Sequence, residues 1–111
     1  AKMQNYLGLT TKDNYANGCM QDIHWTDGSF GYFPSYTLGA MYAAQFMSAM
    51  NKEINVDSLV EQQNLSPIFD WLAKNIWSKA SLLSTDELVK QATGDTLNAQ
   101  HFKTHLENRY L

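Results

Sequence analysis

The chain has one cysteine, Cys19, in 111 residues. No internal disulfide can form, so its stability has to come from packing, and a reducing compartment is expected. Two prolines leave most of the chain open to regular structure. Charged residues make up 17% and the net charge is −3, with no basic run, so a nucleic-acid surface is not expected. No apolar run spans a bilayer. The longest candidate, "LGAMYAAQFMSAM", is too short and is broken by Gln45. The opening "AKMQNYLGL" has no long apolar region, so no secretory leader is expected. With no initiator methionine, that opening is either cut from something longer or a product of ordinary processing or cloning.

What is present is a folding composition: 44% hydrophobic and 13% aromatic. The length suits one domain with a modest core. No segment alternates with period two, and the apolar residues recur at helical spacing. Met3, Tyr6 and Leu7 share one side of a short opening helix. Leu38, Met41, Tyr42, Phe46, Met47 and Met50 predict a helix from Tyr36 to about Lys52, with Pro34 before it and Ser35 as a possible cap. Its small residues, Gly39, Ala40, Ala43, Ala44 and Ala49, suit close approach to another backbone, so a central position is expected. Asn55 or Asp57 can cap a short helix carrying Val56, Leu59 and Val60.

"NLSPIF" places Ser66 at a cap and Pro67 at the first helical position of a helix running to about Lys79. "STDEL" reads as a capping box, Ser84 with Glu87, for a helix that Gly94 ends. Asn98 can cap a last helix with Phe102, Leu106 and Tyr110 on one side. The fold expected is all-α, with five or so helices.

Candidate chemistry is sparse. His101 and His105 stand at i and i+4, but the run reads "HFKTH", with Phe102 where a zinc-binding HExxH helix has glutamate. They read as surface residues. Cys19 and His24 are a weak thiol pair, and a lone buried cysteine is the better reading. The glycines at 28 and 31 do not form a phosphate cradle.

The unusual segment is "GCMQDIHWTDGSFGYFPSY", residues 18–36. Its turn dipeptides are Asn17-Gly18 and Asp27-Gly28. Asp22 or Gln21 can hydrogen-bond a ring nitrogen of His24 or nearby backbone. A histidine so held, like a tyrosine hydroxyl, can donate to a developing oxyanion or bind a carboxylate. Equally, Trp25, Phe30, Phe33 and Tyr36 can be core aromatics, with Gln21, Asp22 and His24 satisfying backbone groups. The residues alone leave both readings open.

"GCMQDIHW" fits Gly-x-x-Gln-Asp-x-His-Trp. It is followed by "GSFGYFPSYTLG", by "AAQ", and later by "WL", "ELV", "TGDTLNAQHF" and "HLENRY". Together these resemble the C-terminal part of the carboxypeptidase Taq family, the M32 metallocarboxypeptidases, over essentially the whole chain. The resemblance implies a mostly helical, zincin-like metallopeptidase several times longer, of which residues 1–111 are the helical C-terminal portion.

The implied activity is release of single amino acids from peptide C-termini, with broad specificity and reluctance toward proline. A divalent metal, zinc or cobalt, belongs to an upstream HExxH helix and the helix after it, and an upstream arginine receives the substrate carboxylate. None of these groups is in this chain. No metal is therefore expected on residues 1–111 alone, and no peptidase activity from them.

By similarity, His24 with Tyr32, Tyr36 or both lines the cleft and stabilises the tetrahedral intermediate or orients the peptide. Gln21 and Asp22 orient His24 and the loop, and Trp25 is packing. "GYFPSY" also resembles the "GYxxxY" stretch of the related oligopeptidases. Where many family members have asparagine after "TLG", this chain has Ala40. The partners implied are a peptide C-terminus, the N-terminal remainder of the same enzyme and, as a possibility, a second copy. Nucleic acid and membrane are not among them, and the compartment implied is the cytoplasm. A competing expectation is a stand-alone helical interaction or regulatory domain that keeps the loop without its chemistry.

Overall fold

The computed structural model describes residues 2–111, with the side chain of Cys19 outside that description, so its expected burial also lies outside it. All regular elements among the described residues are helical. The chain divides into two compact units, residues 1–34 and 35–111.

The first unit carries α1 (Lys2–Leu7), a 3-10 turn (Cys19–Gln21) and α2 (Ile23–Thr26). Gly8 ends α1 at φ +68, with its N–H on the Gln4 carbonyl at 3.1 Å. None of the described residues of this unit is buried. Trp25, Phe30 and Phe33 are exposed, as is Tyr36 beyond the unit, so none of the four belongs to a core formed within residues 2–111. Trp25 still packs on Phe30, ring centres 5.4 Å apart. The unit is organised by local hydrogen bonds rather than by an apolar centre.

α3 (Pro34–Met50) opens at the unit boundary. α4 (Val56–Glu61), α5 (Ser66–Asn75), a 3-10 turn (Trp77–Lys79), α6 (Thr85–Thr93) and α7 (Gln100–Tyr110) follow. Ala49, Met50, Val56 and Trp71 form the core of the second unit, with Phe46, Ile54, Ile68, Leu72, Ile76 and Ala92 packed against it. Val89 is also buried. The core engages the C-terminal end of α3. Ala40 and Ala43, nearer its start, are exposed, and a Cβ on Gly39 would meet nothing within 4 Å. The small residues of that first half therefore make no close backbone approach within the unit, and only the second half of α3 is central.

Gln45 is fully buried, 0% exposed. Its Nε2 donates to Thr93 Oγ1 at 2.9 Å, to the Thr96 carbonyl at 2.9 Å and to the Asp95 carbonyl at 3.3 Å. Its Oε1 accepts the Asn98 N–H at 2.8 Å. One carboxamide thus ties α3 to the α6–α7 connection and satisfies backbone groups that the connection leaves unpaired. The residue that interrupts the apolar run is the residue that holds the run to its neighbours.

Local signals set most boundaries. Asn55 caps α4 by accepting the Ser58 N–H at 3.0 Å. Ser84 and Glu87 form both halves of a capping box, and Gly94 ends α6 at φ +90. Asn98 works one residue ahead of α7's cap position, Ala99, accepting the Gln100 N–H at 3.0 Å.

Three boundaries differ from the sequence reading. α3 begins at Pro34, so Ser35 lies inside its first turn instead of capping it. α5 begins at Ser66 with Leu65 in the cap position, where no side chain can accept. α5 stops at Asn75 rather than continuing to Lys79: the Asn75 amide donates to the Trp71 carbonyl, the Ser78 hydroxyl donates to the Lys74 carbonyl, and the chain tightens into 3-10 geometry.

Candidate functional site

The loop that reads as irregular in sequence holds a 3-10 turn and one helical turn. The signal for the latter is Asp22, an acid in extended geometry (φ −78, ψ 111) directly before Ile23. Its Oδ1 accepts the His24 backbone N–H at 3.0 Å, an ordinary helix cap. The same oxygen lies 2.6 Å from Nδ1 of the His24 ring. Both side chains are partly covered, at 22% and 25% exposed.

Burial pushes the Asp22 carboxyl up. The hydrogen bonds from the His24 ring and backbone and the attraction of the ring outweigh it, and the net displacement is downward.

The rest of the frame is backbone. Ser29 N–H donates to the His24 carbonyl at 2.8 Å, and Asp27 N–H to the Ile23 carbonyl at 2.9 Å. Gly28 and Gly31, at φ +72 and +76, turn the chain back so that Tyr32 and Phe33 reach the imidazole. The Tyr32 ring stacks on it at 5.2 Å between centres and the Phe33 ring tilts against it at 4.8 Å. A cleft of about 170 Å³ opens beside them, lined by Asp22, His24, Trp25, Ser29, Phe33 and Pro34, among others.

Gln21 does not contribute to the ring's hydrogen bonds through any contact seen here. Its Nε2 donates to the Asn17 carbonyl, four residues back. Tyr36 stands in the first turn of α3, at the start of the second unit.

Gly18 has a role that its turn chemistry does not suggest. A Cβ there would lie 2.5 Å from Thr11 Cγ2, 2.6 Å from Thr11 Cβ and 3.0 Å from the Asn14 carbonyl. The position needs glycine for space. The signal that points to it is its place as the first residue of the Gly-x-x-Gln-Asp-x-His-Trp run.

His101 and His105 lie on α7, along a groove shared with Ser48 and Asn51 of the α3 end. Among the described residues no group of three or more His, Cys, Asp or Glu side chains could hold a metal ion. A divalent metal of the kind a metallopeptidase uses has no fitting donor set among them. No helix among them is long and apolar enough to cross a membrane.

A solved structure of Trypanosoma cruzi metallocarboxypeptidase 1 matches 98% of this chain with a TM-score of 0.90 and 50% sequence identity, over 23% of that chain. Carboxypeptidase 1 of Bacillus subtilis is 40% identical over 110 residues, 98% of this chain and 22% of that protein. Thermostable carboxypeptidase 1 of Thermus thermophilus is 38% identical over 110 residues, 98% of this chain and 21% of that protein. The chain therefore spans about a fifth of the length of the curated relatives it matches. The family model described as carboxypeptidase Taq (M32) metallopeptidase matches residues 1–110. On these matches, and with the helical fold they share, this chain belongs to the carboxypeptidase Taq (M32) metallopeptidase family.

Proposed function

We propose that this chain is the C-terminal portion of a metallocarboxypeptidase that hydrolyses the last peptide bond of its substrates and releases single amino acids with broad specificity. Within it, His24 and Tyr32 or Tyr36 touch the substrate, and Asp22 and Gln21 position them. The observation that carries this reading is the Asp22–His24 contact of 2.6 Å inside the family's Gly-x-x-Gln-Asp-x-His-Trp run. A ring held by a carboxylate and flanked by two aromatic rings beside a cleft is an oriented polar group, suited to charge that develops during acyl transfer.

The metal, which we take to be zinc or cobalt, belongs to the portion of the enzyme outside residues 1–111. The described residues do not form its site. What these residues supply is hydrogen-bonding groups, held in place before substrate arrives.

Exposed apolar surface supports a covering partner. Met41, Phe102, Leu106, Tyr110 and Leu111 line an open groove of about 430 Å³. Exposed Leu38 and Met47 extend apolar surface along α3. A surface of this kind is what a larger protein buries. We take its cover to be the N-terminal remainder of the same enzyme. A homodimer through such a face is tested by the mass of the full-length protein in solution. We place the enzyme in the cytoplasm, on the single cysteine.

The coding sequence upstream of Ala1 tests the reading. An open frame that continues upstream and carries HExxH supports the carboxypeptidase. A frame that starts near Ala1 contradicts it and favours a stand-alone binding domain.

A further inference from the structure

We infer that Asp22 is a positioning residue that fixes the neutral His24 ring as its Nδ1–H tautomer, so that Nε2 of that ring accepts a hydrogen bond and does not donate one. The inference deepens the proposed function and rests on it for the word substrate. Its geometry stands alone.

An ionised carboxylate has no proton to give. A contact of 2.6 Å between Asp22 Oδ1 and His24 Nδ1 therefore needs the hydrogen on the ring nitrogen. The downward displacement of the Asp22 carboxyl keeps it ionised at neutral pH. The ring cannot turn away cheaply. Its carboxylate partner is held at the helix cap by the His24 backbone N–H, on the same oxygen. Tyr32 and Phe33 stand against the ring at 5.2 and 4.8 Å, so rotation requires both to move. The His24 carbonyl is anchored by Ser29 N–H at 2.8 Å. Ring, cap and following turn form one locked unit.

The tautomer decides what His24 can do. With the hydrogen on Nδ1, Nε2 of the neutral ring carries a lone pair and accepts from an N–H or O–H donor, such as a substrate amide or the hydroxyl of a bound acid. It donates to a carboxylate or an oxyanion only after the ring takes up a second proton, and the Asp22 charge then balances the imidazolium. Donation from Nε2 by a neutral His24 is excluded while the Asp22 contact holds. The same logic operates where a buried aspartate sets the tautomer of a catalytic histidine in serine hydrolases.

The test is ¹⁵N NMR of the histidine ring nitrogens in the full-length protein that contains residues 1–111, at a pH where imidazole is neutral, with the His24 signals assigned by His24→Gln. The expected spectrum shows His24 protonated on Nδ1 and unprotonated on Nε2. Asp22→Ser keeps a side chain able to cap α2 but too short and uncharged to hold the ring. It is expected to lose the Nδ1–H preference while the α2 amide signals persist. A wild-type His24 protonated on Nε2 overturns the inference, and so does an unchanged ring in a folded Asp22→Ser chain. If that variant does not fold, the wild-type spectrum decides. No turnover is involved, so failure of the carboxypeptidase reading leaves this result standing, and the reverse.

Discussion

A single oxygen of Asp22, Oδ1, holds both the backbone N–H of His24, at 3.0 Å, and the Nδ1 of its ring, at 2.6 Å. The cap that starts α2 and the contact that aims the imidazole share one atom, so the start of the helix also sets where the ring is held.

That sharing has a consequence for pH. The Asp22 carboxyl is lowered in the folded chain, so the unfolded chain binds its proton more readily. The contribution of the contact is fully present above the ordinary aspartate value of about 3.9. It is lost as pH falls through the lower folded value. The carboxyl ¹³C resonance of Asp22 is expected to keep its ionised position from neutral pH down to about that ordinary value, then shift below it. A shift that begins well above it contradicts the assignment.

Gly18→Ala puts a methyl group 2.5 Å from Thr11 Cγ2, closer than real Cβ contacts occur. Thr11 or the 3-10 turn must move, and Gln21, whose amide is tied to Asn17, moves with it. Chemical-shift changes are expected to spread from residue 18 to His24. In full-length enzyme kcat/KM falls. Gly28→Ala is a different case, open space at φ +72, where the cost is backbone strain. Changes confined to the site of substitution at residue 18 contradict the close-packing account.

Gln45→Leu keeps roughly the same volume and removes every polar atom. The Asn98 N–H and the Thr96 carbonyl then lose part-buried hydrogen bonds. The cost is expected to be about 2–4 kcal/mol, a fall in Tm on the order of 10 °C for a unit of this size. Gln45→Glu is expected to be at least as harmful, because a carboxylate facing the Asp95 and Thr96 carbonyls has no hydrogen to give them. Thermal melts of the chain check both. A Gln45→Leu variant as stable as wild type contradicts the network.

Ser84→Ala removes the acceptor of the Glu87 N–H and the donor to Glu87 Oε2 at 2.6 Å. A loss of about 1 kcal/mol is expected. The Glu87 carboxyl, lowered chiefly by its hydrogen bonds from Ser84, is expected to titrate nearer its ordinary value in the variant. The carboxyl ¹³C shift of Glu87 across the acid range reads this out.

Legibility in the sequence followed the distance between partners. The Ser84–Glu87 box, the Asn55 cap and the Gly94 stop need only residues within one turn, and each is in place. Asp22 and His24 are two residues apart, and their pairing is one of those the sequence leaves open, with Gln21 the other candidate partner. Gln45 was readable only as a break in an apolar run, because its partners are about fifty residues away. The flanking of His24 by Tyr32 and Phe33 depends on two left-handed glycines acting in succession, which no residue pattern states. The close approach expected at Gly39 is not made within the unit, whose core lies at the other end of that helix. Ser35 and Ser66 were plausible caps by type, yet each helix runs one or more residues further back, and both lie inside it.

The central claim is that this chain supplies the substrate-facing histidine of a carboxypeptidase, and kinetics of the full-length enzyme test it most directly. With a peptide substrate, His24→Ala is expected to lower kcat by about 10²–10³-fold. KM should change much less, and the far-ultraviolet circular dichroism should be preserved. A folded His24→Ala enzyme with wild-type kcat contradicts the account.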